Sequence, residues 1–95
     1  MAALRAMATV RIDNERVRVT EWRFAPGATT GFHRHQHDYV VVPLSTGRLG
    51  SSAPAGERIA ELVAGVPYFR PAGVEHDVRN VNTFEVAFVE IELKT

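Results

Sequence analysis

Hydrophobic positions along this chain come in short runs, each closed by glycine, proline or asparagine, and none repeats at helical spacing for long. "TVRI" (9–12) leads into a turn at "DNE" (13–15), and "RVRVTEWRF" (16–24) is ended by "APG" (25–27). "DYVVVPL" (38–44) is rich in β-branched residues. A short piece at 47–51 stands between the loops "STG" and "APAGE". "RIAELV" (58–63), "VPYFR" (66–70), "EHDVRNV" (75–81) and "FEVAFVEIEL" (84–93) complete the set. Many short strands with closely spaced turn residues predict an all-β sandwich or barrel.

The alternation is imperfect. Val17 and Val19 share one face, whereas Trp22 and Phe24 lie on the other. A bulge near Thr20–Glu21, or a strand covered on both faces, would account for this. The last run changes phase in the same way, from Phe84, Val86 and Phe88 to Val89, Ile91 and Leu93. A helix over 57–65 is the second reading of that segment, because Ile59, Leu62 and Val63 have helical spacing. Gly65 and Pro67 leave it little length.

At 95 residues the chain is expected to form one domain, 1–95. Residues 1–8 are expected to be a flexible or edge segment, interrupted by Arg5 and too short to span a membrane. Eleven basic and eleven acidic residues balance to zero, so no field draws polyanions and nucleic acid is not an expected partner. Near-neutral charge favours self-association. With no cysteine, any metal must take nitrogen and oxygen ligands, and a reducing, cytoplasmic setting suits the composition.

The chemistry concentrates in "GFHRHQHDYVVVPLSTG" (31–47), which holds His33, His35 and His37 of the chain's four histidines. On a regular strand all three would share a face. His33 and His37 would be about 13 Å apart, too far to hold one ion together. One adjacent pair is the expected chelate, with His76 as third ligand from another strand. Three nitrogens leave coordination positions open for a ligand. A solvated polar face or hydrogen-bonded core histidines would show the same local pattern.

At this point the sequence resembles the cupin family. The first cupin motif, G-x5-H-x-H-x(3,4)-E-x6-G, is met at Gly27, His33, His35 and Gly47. The second, G-x5-P-x-G-x2-H-x3-N, is met at Gly65, Pro71, Gly73, His76 and Asn80. The texture is similar to small bacterial cupins, including those associated with β-alanine degradation. The resemblance implies a jelly-roll barrel of six to eight or more strands. It also implies one divalent transition metal (zinc, iron, nickel or manganese, with copper also compatible) held by His33, His35 and His76. His37 becomes a neighbour of the site.

The family's glutamate ligand is missing, since Tyr39 and Val40 stand at its two permitted spacings. Tyr39, in phase with His33 and His35, is expected in its place as a neutral hydrogen-bonding phenol. Asp38 would become a ligand only through a bulge. Three neutral imidazoles leave the ion's full charge to a bound oxygen or an anionic ligand. The implied function is therefore a metal-dependent enzyme, such as a dioxygenase or a Lewis-acid isomerase or lyase. It would act on a small anionic molecule, with Tyr39 and His37 orienting it or moving a proton and Arg48 or Arg70 available to bind a carboxylate. A non-catalytic binding or sensor cupin is the alternative. Glu75 and Asp77 are expected to point away from the site. A homodimer could pair N-terminal strands through "TVRID".

Overall fold

The computed structural model describes residues 4–95. Nine strands form among them: β1 (Met7–Asp13), β2 (Val17–Phe24), β3 (His33–Arg34), β4 (Asp38–Pro43), β5 (Gly47–Ala53), β6 (Gly56–Leu62), β7 (Tyr68–Arg70), β8 (Glu75–Asn80) and β9 (Val86–Leu93). They make two antiparallel sheets. The five-stranded sheet has the order β1-β2-β9-β4-β7, and the four-stranded sheet the order β3-β8-β5-β6. The non-consecutive neighbours are the jelly-roll pattern, in which the chain crosses repeatedly from one sheet to the other. The segment that could have been helical is β6, paired residue by residue with β5 from Gly47↔Leu62 to Ala53↔Gly56.

The core lies between the sheets. Phe24, Val86 and Phe88 meet Tyr39, Val41, Leu49, Leu62 and Val78 there. Phe24 and Phe88 pack with ring centroids 5.6 Å apart. No bulge occurs at Thr20–Glu21, because β2 runs against β9 without a register shift from Val17↔Leu93 to Phe24↔Val86. The irregularity is on the partner strand, between Val10 and Ile12 of β1. Thr20, Trp22 and Phe24 face inward, and Val17 and Val19 lie on the outer face of the sheet. The apparent change of phase in the last strand has the same cause. Val86, Phe88, Glu90 and Glu92 continue one inner row, while Val89, Ile91 and Leu93 line the outside.

Registers across the larger sheet sort its inner face into bands. Arg18, Glu92, Tyr39 and Arg70 stand side by side on β2, β9, β4 and β7. The next band is Thr20, Glu90, Val41 and Tyr68, and behind it come Trp22, Phe88 and Pro43. The inner face therefore grades from charged to aromatic along the strands, and this gradient shapes the cavity described below. At the N-terminal side, Leu4–Ala6 run beside Thr29. Ala6 N–H donates to Thr29 O and Thr29 N–H donates to Leu4 O, both at 2.9 Å.

Candidate metal centre

His33 and His76 are direct cross-strand partners on β3 and β8, so their side chains share a face. His35 lies just beyond β3, in the break before β4. The run 33–37 is thus not one strand, and the break lets His35 turn its ring toward the other two. The turn at 71–74 holds it there. Gly73 N–H donates to His35 O at 2.8 Å, and His35 N–H donates to Val74 O at 2.9 Å. Gly73 has φ +94°, a conformation that costs a side-chain-bearing residue strain, and this is the physical content of the glycine in the second motif. Asn80 plays the corresponding part at the far end of β8. It is 2 % exposed, and its Nδ2 donates to Phe24 O (3.0 Å) and Phe84 O (2.8 Å) while Oδ1 accepts from Asn82 N–H (2.8 Å). Gly27 N–H donates to Asn80 O, so the start of one motif is tied to the end of the other.

The Nε2 atoms of the three histidines converge. Those of His33 and His35 are 3.0 Å apart and those of His35 and His76 are 3.1 Å apart. The outer nitrogens have separate partners. His33 Nδ1 lies 2.9 Å from Gly31 O, which can only accept, so Nδ1 carries the proton and Nε2 keeps its lone pair. His76 Nδ1 lies 3.2 Å from Ser51 Oγ. Burial and the neighbouring histidines lower His35 to about 4. Burial, then His33, lowers His76 to about 4. Both are therefore neutral near pH 7, the form that ligates.

With Nε2 unprotonated on all three rings, the lone pairs converge on one point and a cation between them would relieve their repulsion. Ligands about 2.1 Å from a common ion stand roughly 3.0–3.4 Å apart. The spacing fits, and His33, His35 and His76 could hold a metal ion. An all-imidazole set suits zinc, iron, nickel or copper.

The other expected site residues are placed as follows. Tyr39 is buried and stacks on His35, with centroids 3.9 Å apart and planes 19° apart. It braces the ring and is not one of the clustered ligand residues. Burial, with Glu90 and Tyr68, pushes its phenol upward, so it remains a neutral hydroxyl. His37 is half-buried on the cavity wall, outside the cluster of three. Asp38 is exposed and its Oδ1 accepts from Ala72 N–H at 2.8 Å, so it caps a turn and no bulge brings it inward. Arg70 lines the cavity and lies 4.5 Å over the Tyr68 ring, whereas Arg48 pairs with Glu61 at 2.9 Å. Glu75 stands within 4.0 Å of Arg34. Asp77 is half-buried, with one oxygen lacking a partner, and is not among the residues that line the cavity.

The histidines open onto a cavity of about 820 Å³ between the sheets. Its far wall contains Glu90, a carboxyl that the sequence pattern did not single out. Burial, then Glu92, raises it to about 7. Two glutamates at alternate positions of the last strand were the available signal, but only closure of the barrel shows that they face inward.

Comparison with known proteins agrees with this fold. Over 89 residues the chain is 63 % identical to the β-alanine degradation protein BauB of Pseudomonas aeruginosa, covering 94 % of each chain. The chain belongs to the BauB family of cupins. A cupin domain from Bordetella pertussis is 56 % identical, with 100 % of this chain and 99 % of that one covered and a TM-score of 0.97. A cupin from Methanocaldococcus jannaschii described as having a double-stranded β-helix fold is 12 % identical, covers 93 % of this chain and 79 % of its own, and has a TM-score of 0.77. That likeness speaks for the fold alone. No protein-family model matches the chain. No helix of the described residues is long and apolar enough to cross a membrane.

Proposed function

We propose that this BauB-family cupin is a metal-dependent enzyme acting on a small carboxylate, in the catabolic setting that its relative's name describes. The observation that carries the reading is the convergence of three Nε2 atoms on the wall of a cavity large enough for a small molecule. A divalent ion bound there supplies Lewis-acid polarisation or, if it is iron, a site for oxygen chemistry. The chain's own groups do the rest. Tyr39 braces His35 and offers a neutral hydroxyl. Arg70 and Arg18 add positive charge to the band that faces the ligand, and His37 at the wall exchanges a proton with it. The absence of a carboxylate among the clustered ligand residues also supports a second reading, a cupin that binds the same molecule without turnover.

The test is metal analysis of protein purified without a nickel column, followed by oxygen-uptake and product assays with three-carbon acids. One metal per chain, lost in His76→Ala, is expected. Full occupancy in that variant would refute the ligand set. Bound metal with ligand binding but no turnover would select the second reading.

We extend the proposal to a homodimer in the cytoplasm. Met7, Ile12, Val19, Val89 and Ile91 place apolar side chains on the outer face of the larger sheet, and β1 is its free edge. Sedimentation giving a mass near twice 10.5 kDa is expected, and a monomer at micromolar concentration would refute it.

A further inference from the structure

Glu90 is the group in the cavity that neither the fold nor the histidine site uses. It is 9 % exposed, lines the cavity, and makes no hydrogen bond or ion pair among the described residues. Its neighbours across the sheet are Thr20 and Val41, and the band behind it is Trp22 and Phe88. The titratable groups in front and beside it are Glu92, Tyr39 and Tyr68, none of them a cation. The positive side chains of the front band, Arg18 and Arg70, make no hydrogen bond or ion pair with Glu90 among the described residues: Arg18 pairs with Asp13 at 3.4 Å and Arg70 lies over Tyr68. Across the cavity the walls carry His76 and Arg58. Its oxygens are not among the fully buried unpartnered atoms, so this largely buried carboxyl is reached from the cavity and is placed to meet a ligand group there.

We propose that Glu90, backed by the aromatic rings of Phe88 and Trp22, is a cation-accepting subsite, and that the ligand is a short zwitterion whose carboxylate faces the three histidines while its ammonium group meets Glu90. An ammonium ion supplies what the site lacks, a positive charge with hydrogen-bond donors, and aromatic faces receive it favourably. Glu90 is two residues along β9 from Glu92, whose cross-strand partner Tyr39 stacks on His35, so the carboxyl and the histidines line one cavity with an offset along the strand of about 6.8 Å, on the scale of a small molecule. The inference rests on the reading of the histidine centre as the anion-binding end.

The test uses zinc-loaded protein and four probes by calorimetry: propanoate, 3-hydroxypropanoate, 3-aminopropanoate and 4-aminobutanoate. At least one amino acid is expected to bind about tenfold more tightly than propanoate, as a charge-assisted contact would give. That advantage is expected to vanish in Glu90→Met, while propanoate binding persists. Glu90→Gln, which keeps the shape without the charge, serves as a second variant and is expected to lose most of the advantage. If propanoate binds and neither amino acid gains, or the gain survives both substitutions, the Glu90 subsite is wrong. An equal gain for 3-hydroxypropanoate overturns cation recognition. If neither propanoate nor the amino acids bind at millimolar concentration, the anion-binding role of the histidine centre fails first, and the subsite with it.

Discussion

Replacing Glu90 with glutamine should stabilise the protein at high pH and not at low pH. Burial raises this carboxyl from its ordinary 4.5 to about 7. The folded state therefore holds the proton more tightly than the unfolded state does. The favourable contribution of the protonated form is fully present below pH 4.5 and is lost as pH rises through 7. Between 4.5 and about 7, at 1.36 kcal/mol per pH unit, this amounts to about 3 kcal/mol for a group only 9 % exposed. Glutamine does not titrate, so the variant lacks this loss. Any fixed cost of burying an amide is the same at every pH and cancels when two pH values are compared. Thermal unfolding of both proteins in chelator, at pH 4.5 and pH 8.5 and equal concentration, measures the difference. For a chain of this size 1 kcal/mol moves Tm by about 4–8 °C, so the variant should gain roughly 10 °C or more on the wild type between the two pH values. Parallel pH profiles would refute the reasoning, because they would mean that the carboxylate already has a partner or water in the folded state.

Three further outcomes follow from the site. Substitution of His37 by alanine should leave metal content near one per chain, since His37 is outside the cluster; loss comparable to that in His76→Ala, read by atomic absorption, would show that the ligand set is wrong. Truncating Asn80 to alanine removes hydrogen bonds to Phe24 O, Phe84 O and Asn82 N–H from a buried position. It should cost about 2–4 kcal/mol in denaturant unfolding, and a cost below 1 kcal/mol would contradict this account of the motif's asparagine. Burial and neighbouring histidines hold His35 and His76 down to about 4, so their neutral forms contribute stability above pH 6.5 that is lost as pH falls through 4. Histidine ring NMR of the metal-free protein should accordingly show both rings neutral at pH 5.5, and titration of either near pH 6.5 would contradict the lowered values.

The strand content, the turns and the histidine set were legible in the sequence, because each is a local property or a fixed spacing. Gly73 and Asn80 could be singled out by motif, but their work is tertiary. One holds the backbone of His35 and the other ties β8 to the ends of β2 and the loop before β9. Tyr39 could be seen to stand where a carboxylate was expected; that it stacks on His35 could not. Facing was the main failure. Alternation along a strand separates odd from even positions, but it does not say which set turns inward when both carry apolar side chains. Val17, Val19, Val89 and Ile91 are apolar and line the outer face, while Glu90 and Glu92 are charged and line the cavity. Closure of two sheets around one interior decided that, through a cross-strand register no single segment encodes. For the same reason His35 and His76, forty-one residues apart, meet at 3.1 Å.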